Sequence, residues 1–384
     1  FAARAGRQVT LIEGNATVGR KLLVTGAGRA NLTNRYASAE RYTCADPAWM
    51  QTVLEQFGHD ETIAFLESIG VLTYATPDGW CYPLSESAQT VVDAFANALH
   101  QAGVKLLLDH KVTILRETVM GFDVLFKTQQ PHHCEHLIIA AGGSAYPTLG
   151  SRGQLFPFLK ELGHTVNLVL AALAPVLCDM TDYTRLQGVR FDARVRLYEK
   201  DSLLAETTGN LISTAWGLNG PAVMDLSHHI STRPGKDLRL ALNPLFASEP
   251  ALRNLLRDQR ESATPLKVLL GAALPPKVPP VLLAQAGLSP AVRMNQVSDA
   301  QLEKLLQLAT AIPFKVTGVR GFEYCQVSTG GVPVSEVDPL NMRSRRVPGL
   351  AFAGETLDVV GPCGGYNLQF TFSTGALAGM RALS

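Results

Sequence analysis

Cysteines are few and none lie close together: Cys44, Cys81, Cys134, Cys178, Cys325 and Cys363 include no CxxC pair. That spacing argues against a zinc site and against a dense disulfide framework, and reads most of them as ordinary buried thiols. Long apolar runs are also missing. Leu137–Ala141 and Ala171–Cys178 fall far short of the roughly 20 residues that a bilayer span needs. The N-terminus has no charged stretch leading into an apolar one, so no secretory signal is read and a cytoplasmic protein is expected. Charge of one sign is lacking as well, with 34 Lys and Arg against 33 Asp and Glu. No global basic field would draw this protein onto nucleic acid, so any RNA contact must be a local patch. Neither an internal repeat nor a low-complexity tract is visible. What remains is 384 residues, 46% of them hydrophobic, enough for one large core or several smaller ones.

The chain opens with Phe1-Ala-Ala-Arg-Ala-Gly6, read as the end of a helix, then a strand Gln8–Glu13 stopped by Gly14. Helix, glycine stop and a β-branched run ending in an acid make the second half of a βαβ dinucleotide-binding unit. The strand and GxGxxG turn expected before Phe1 are not in the sequence, so the chain is expected to be N-terminally incomplete. Val91, Val92, Phe95 and Leu99 fall at helical spacing, and the runs Val104–Leu108, Lys111–Leu115 and Phe122–Phe126 read as an antiparallel meander. Leu137–Gly143 reads as a buried strand ending in glycines, a second strand end suited to the cofactor. Ala193–Tyr198 alternates in polarity as a half-buried strand does. Prolines 265, 275, 276, 279, 280 and 290 punctuate short Leu-rich helices, and Ser298 with Gln301 forms a capping box. The strand Leu350–Ala353, a glycine loop at Gly361–Gly365 and a closing helix starting near Gln369 complete the chain.

The fold expected is therefore α/β: a Rossmann-like domain over 1–167 and 327–384, interrupted by a β-rich domain over 168–246, a small helical subdomain over 247–311 and a return strand over 312–326. Glu13 stands where an acid can accept hydrogen bonds from both hydroxyls of a ribose, with Gly14 beside it. Ala141, Gly142 and Gly143 mark the second strand end. In Gly19–Asn34, Gly26 and Gly28 let the backbone approach a ligand, while Arg20, Lys21 and Arg29 supply positive charge for a pyrophosphate or a reduced flavin.

This segment resembles the GRKxLxTGxGRCNLTN signature of the YhiN/BaiN flavoprotein family, also called aminoacetone-oxidase-like. Ala27 stands where the family usually has Gly or Asn, and Ala30 replaces its cysteine. The resemblance runs on through Gly79–Ser85, Ala140–Pro147, Thr329–Val332, Val347–Leu350, Ala353–Asp358 and Gly361–Gln369, the last two being nearly unbroken matches to AGExLDxxG and GGYNLQ. Departures occur at Ala215 and Asn219, which replace a family histidine and serine, and in Gly150–Phe156, which loses an acid and a glycine.

The resemblance implies FAD as cofactor. It places Gly354, Glu355 and Asp358 at a turn where Glu355 could bind a ribityl hydroxyl. It places Gly364, Gly365, Asn367 and Leu368 at a helix start whose dipole suits the negative N1–C2=O edge of a reduced flavin, and it assigns an adenine contact to the Val112 backbone. Tyr366 and Cys363 flank the GGYN loop and are the candidate proton donors, with a packing role open for Tyr366. No metal site is expected. The implied reaction is flavin reduction by NAD(P)H and hydride transfer to a carbonyl-conjugated C=C. A uracil of large-subunit ribosomal RNA, giving dihydrouridine, is the favoured substrate, with Arg343-Ser-Arg-Arg346 as a candidate RNA patch. A steroid-like small-molecule enone, and a flavin-binding protein without turnover, are the alternatives.

Overall fold

The computed structural model describes residues 1–381. The chain forms two compact units, Phe1–Leu170 with Gln326 onward, and Ala171–Cys325 between them.

In the first unit, Thr10–Ile12 pairs in parallel with Lys105–Leu107, and the Glu13 N–H extends the ladder to the Leu107 carbonyl at 2.9 Å. The run Val104–Leu108 therefore does not belong to the meander expected of it. It follows directly on the helix Ala88–Gln101, and a strand entered from a helix packed on the sheet returns parallel. The meander consists instead of Val112–Thr118, Gly121–Phe126 and His132–Cys134. Its middle strand buries Phe122, Val124 and Phe126 on one face, as a period of two requires. A second parallel pair joins Leu137–Ile139 to Leu350–Phe352. Residues 2–6 form turns rather than a helix end, closed by bonds such as Ala5 N–H to the Phe1 carbonyl at 2.9 Å. The closing helix, Tyr366–Arg381, begins three residues before Gln369 because Gly364 and Gly365, at φ 109° and 94°, end the loop there and the Gly365 carbonyl accepts the Gln369 N–H.

Beneath the strand Leu350–Phe352, a buried polar group ties three segments together. His164 Nδ1 lies 2.7 Å from Glu336 Oε2 and its Nε2 2.8 Å from Ser344 Oγ. Ser344 Oγ already accepts the N–H groups of Arg346 and Val347, at 3.0 and 2.8 Å. Its own proton must point at Nε2, which leaves the His164 proton on Nδ1, donated to Glu336. Glu336 also accepts from Thr165 N–H and pairs with Arg346 at 2.7 Å. Burial pushes the His164 pKa below its ordinary value, outweighing the pull of Glu336. Burial would raise the Glu336 carboxyl, but hydrogen bonds from Thr165 and His164 and the Arg346 charge hold it below its usual value.

The second unit is built on a closed six-stranded barrel in the order Val176–Cys178, Gly217–Asn219, Ser202–Ser213, Arg190–Glu199, Leu238–Asn243, Ile312–Val319. Ala193, Val195 and Leu197 alternate inward and are fully buried. The helices Glu249–Asp258, Leu266–Leu270, Val278–Gln285 and Asp299–Thr310 contribute Leu252, Leu256, Leu282 and Leu305 to the same apolar core as Val195 and Leu240. Residues 247–311 thus share the barrel's core instead of building one of their own. Among the described residues, no helix is long and apolar enough to cross a membrane.

Candidate functional site

A continuous line of contacts in the first unit begins at Glu13. Its Oε1 accepts from the backbone N–H and the side-chain amide of Asn15, at 2.9 and 2.7 Å. Arg20, at the start of the short helix Arg20–Val24, donates to Asn15 Oδ1 at 2.6 Å and to the Thr148 carbonyl at 3.3 Å. One residue on, Lys21 Nζ meets Glu355 Oε2 at 2.6 Å. Glu355 Oε1 accepts from the N–H and hydroxyl of Ser328, at 2.9 and 2.8 Å. Ser328 Oγ in turn accepts the Ser144 N–H at 3.0 Å. Gly143 sits so tightly against this cluster that a Cβ there would lie 2.0 Å from Ser328 Oγ and 2.6 Å from Glu355 Oε1. Ser151 closes the line by donating to the Gly143 carbonyl at 2.7 Å.

The glycine-rich signature forms a second group with the loop before the closing helix. Thr33-Asn34 pairs with Trp80-Cys81, and the Asn34 amide donates to the Gly364 carbonyl at 2.9 Å. A Cβ on Gly365 would lie 2.2 Å from the Thr33 carbonyl, and one on Gly364 2.6 Å from Trp80 Nε1, so both glycines are there for close approach. Thr33 Oγ1 donates to Gln369 Oε1 in the first turns of the helix. The Arg29 guanidinium lies over the Tyr82 ring, 4.6 Å from its centroid. The two groups meet through Gly354, whose N–H donates to Thr374 Oγ1 at 2.9 Å, and through the chain running from Lys21 into Gly26.

The loop's backbone shows what one departure from the signature costs. Gly26, Ala27, Gly28 and Ala30 all have left-handed φ, of 56°, 57°, 87° and 60°. Gly or Asn adopts this region readily, whereas alanine adopts it at a cost because its Cβ crowds the following carbonyl. Ala27→Gly is accordingly expected to stabilise the protein by about 1 kcal/mol, read as a higher urea midpoint at unchanged slope. A lower midpoint would show that the strain is absent.

The structure thus brings Glu13, Arg20, Lys21, Gly143 and Glu355 together. Gly14 and Val112 join them through Lys111, whose Cγ lies 3.3 Å from where a Gly14 Cβ would stand. Ala141 and Gly142 line a crevice with Gly153, Phe156 and Thr356. Asp358 does not join: its Oδ1 accepts the Gly330 N–H at 2.7 Å and its Oδ2 the Asn167 amide at 2.8 Å, so it clamps a loop. The Asn367 side chain likewise closes its own loop onto Gly361 N–H and carbonyl, at 2.9 and 2.8 Å, with Leu368 following in the helix. Tyr366 is 4% exposed, packs edge-on against Tyr42 and accepts the Tyr42 hydroxyl on its carbonyl. Its ring is a packing element. Cys363 is half-buried in the preceding loop. The basic run is largely committed: Arg346 pairs with Glu336 and Arg343 donates to the Arg381 carbonyl. Ser328, Asn15 and Asn34 hold the site and were not singled out from sequence. Their position beside Thr329-Gly-Gly, Glu13 and the signature's end was the available signal.

These residues suit a dinucleotide. Glu13 keeps Oε2 without a donor among the described residues, and the Glu355 carboxylate has taken three hydrogen bonds where four can be accepted. Lys21 has used one of its three donors and Arg20 two of its five. Gly28 has no atom closer than 3.9 Å where its side chain would be, leaving its backbone uncovered. Acceptors for hydroxyls, spare cationic donors and bare backbone are what FAD requires.

Comparison with known proteins agrees. The model of the HI0933-like protein Rossmann domain matches residues 1–381. The chain is 34% identical over 381 residues to the 3-dehydro-bile acid delta(4,6)-reductase of Clostridium scindens, covering 98% of this chain and 92% of that protein. It is 30% identical over 380 residues to the ribosomal RNA dihydrouridine synthase of Escherichia coli, covering 97% and 92%. The solved 3-ketosteroid-delta4-(5alpha)-dehydrogenase of Rhodococcus jostii shares the fold at a TM-score of 0.52 and 14% identity, covering 100% of this chain and 93% of that one. The chain belongs to the HI0933-like family and is a FAD-dependent oxidoreductase.

Proposed function

We propose that the first unit holds FAD along the line from Glu13 to Glu355, and that the enzyme reduces a C=C bond conjugated to a carbonyl in a small flat molecule. The observation that carries the reading is the convergence of Glu13, Lys21, Gly143 and Glu355 in a chain related to two reductases of such bonds. A bile-acid Δ4,6 system and a uracil C5=C6 bond both stand beside a carbonyl. Bound there, FAD supplies the two-electron chemistry, with NAD(P)H as the source of the hydride. Glu13 would accept from the ribose hydroxyls and the Val112 backbone would meet the adenine. Arg20 and Lys21 would neutralise the pyrophosphate, and Glu355 would accept a ribityl hydroxyl. The first turn of Tyr366–Arg381 has N–H groups with no intrahelical acceptor, and these would favour negative charge on a flavin held there. With the Tyr366 ring engaged in packing, Cys363 is the preferred group to deliver a proton.

A uracil of ribosomal RNA is the second reading, supported by the relative at 30% identity. The small molecule is preferred because the net charge is only +1 and two of the run's three arginines, Arg343 and Arg346, are held by protein partners, leaving the exposed Arg345 as the run's cation for phosphates. Photoreduced holoenzyme mixed anaerobically with a 3-oxo-4-ene steroid is expected to reoxidise stoichiometrically, leaving saturated product. Reoxidation by unmodified ribosomal RNA alone would shift the assignment to uracil, and reoxidation by neither would overturn the C=C reading.

A further inference from the structure

The inserted unit holds a cationic group that the flavin reading does not use. Trp216 precedes the strand Gly217–Asn219 and Arg320 follows Ile312–Val319. Both strands pair with Val176–Cys178, where Val176 faces Leu218 on one side and Val319 on the other. Both run antiparallel to that strand and so parallel to each other, which sets Trp216 level with Cys178 and Arg320 level with Pro175, and the Arg320 side chain spans the distance between them. The Arg320 guanidinium lies 4.8 Å from the Trp216 ring centroid and 3.2 Å from that of Tyr324. Its backbone is fixed by an N–H bond to the Pro175 carbonyl at 2.9 Å, and Tyr324 is held by a turn onto the Gly321 carbonyl at 3.0 Å.

Elsewhere in this unit Arg196, Arg253 and Arg260 each pair with a carboxylate. The Arg320 side chain has no carboxylate partner and no hydrogen-bond acceptor among the described residues. Aromatic contact engages the π surface of a guanidinium, while its five N–H groups lie in its plane and stay free for an oxyanion. Two rings from separate loops fix the orientation in advance, so capture costs little further side-chain entropy. The Trp216 and Tyr324 rings offer apolar surface beside the charge. Tyr324 itself is 47% exposed.

We infer that Arg320, Trp216 and Tyr324 form a recognition site for an oxyanion carried by a flat ring system. The site lies within the second unit and is argued from that unit alone, and only the choice of an enone ring as its probe rests on the reading above. The oxyanion could be a carboxylate or a phosphate monoester, and binding to the oxidised holoenzyme separates them. Calorimetric titration would use a 3-oxo-4-ene steroid carboxylate, its methyl ester, and uridine monophosphate. In the wild type, the carboxylate or the monophosphate is expected to bind at least tenfold more tightly than the ester, and whichever does identifies the oxyanion. Arg320→Gln should remove that preference, and Arg320→Lys, which keeps charge but loses the planar fork, should retain part of it. Unchanged flavin absorbance per polypeptide certifies folding. Wild-type affinity for the anions in Arg320→Gln, or no preference over the ester in the wild type, would overturn the inference. Anion binding through Arg320 without reduction of the steroid would leave the site standing and defeat the enone reading.

Discussion

Gly143→Ala is expected to abolish flavin retention and to destabilise the protein by about 2–5 kcal/mol, combining overpacking with lost hydrogen bonds. The new Cβ would fall 2.0 Å from Ser328 Oγ and 2.6 Å from Glu355 Oε1. Neither neighbour can yield cheaply. Ser328 is 2% exposed, and it holds both the Ser144 N–H and the Glu355 carboxylate. Moving it breaks those bonds together and releases Lys21 from its partner. Gly375→Ala supplies the comparison, because that glycine lies in the helix Tyr366–Arg381 with nothing within 4 Å of the added carbon. It should raise stability by about 0.5–1 kcal/mol through helix propensity. Urea denaturation and flavin absorbance per polypeptide measure both. A Gly143→Ala protein that kept its flavin and its midpoint would show that the cluster is looser than its distances imply.

His164→Ala should cost a comparable amount, about 1–3 kcal/mol for each polar group left without its partner, since Glu336 Oε2 and Ser344 Oγ both lose one. Its signature is in the pH dependence. The folded pKa values of His164 and Glu336 both lie below their ordinary values. For groups shifted in that direction the stabilisation is complete above the unfolded pKa and is lost as pH falls through the folded one. The wild type should therefore lose stability on acidification below the unperturbed histidine value of 6.5, with a further loss below the ordinary glutamate range. His164→Ala should remove the first of these. Equal slopes of stability against pH in the two proteins between neutrality and mild acid would contradict a neutral, buried His164.

What the sequence made legible was local. The strand ends at Glu13 and Gly143 could be read because a β-branched run stopped by glycine is a contiguous signal, and the closing loop because consecutive glycines mark left-handed backbone. The barrel's Arg190–Glu199 could be read from its period of two. The run Val104–Leu108 was misassigned because a short apolar strand looks the same whether its partner is parallel or antiparallel, and its partner lies about ninety residues away in the chain. Ser328 and Asn15 stayed hidden for a related reason. Their importance comes from Ser144 and from Leu149, whose carbonyl accepts the Asn15 amide, and a serine or asparagine in a loop carries no mark of such distant partners. Tyr366 could be placed beside the glycine loop from sequence, but only its packing on Tyr42 shows where its ring goes.

The proposal that the cluster of Lys21, Gly143 and Glu355 is part of the FAD site is tested most directly by bound flavin per polypeptide in Glu355→Ala against Cys363→Ala. Cys363→Ala removes a thiol proposed to handle a proton and should purify with wild-type flavin content. Glu355→Ala removes the acceptor proposed for the ribityl chain and leaves the Lys21 ammonium and the Ser328 N–H and hydroxyl without their acceptor. Its FAD affinity should fall by roughly ten- to a hundredfold, the equivalent of about 1–3 kcal/mol. Equal flavin content and equal FAD dissociation constants in the two variants would contradict the account.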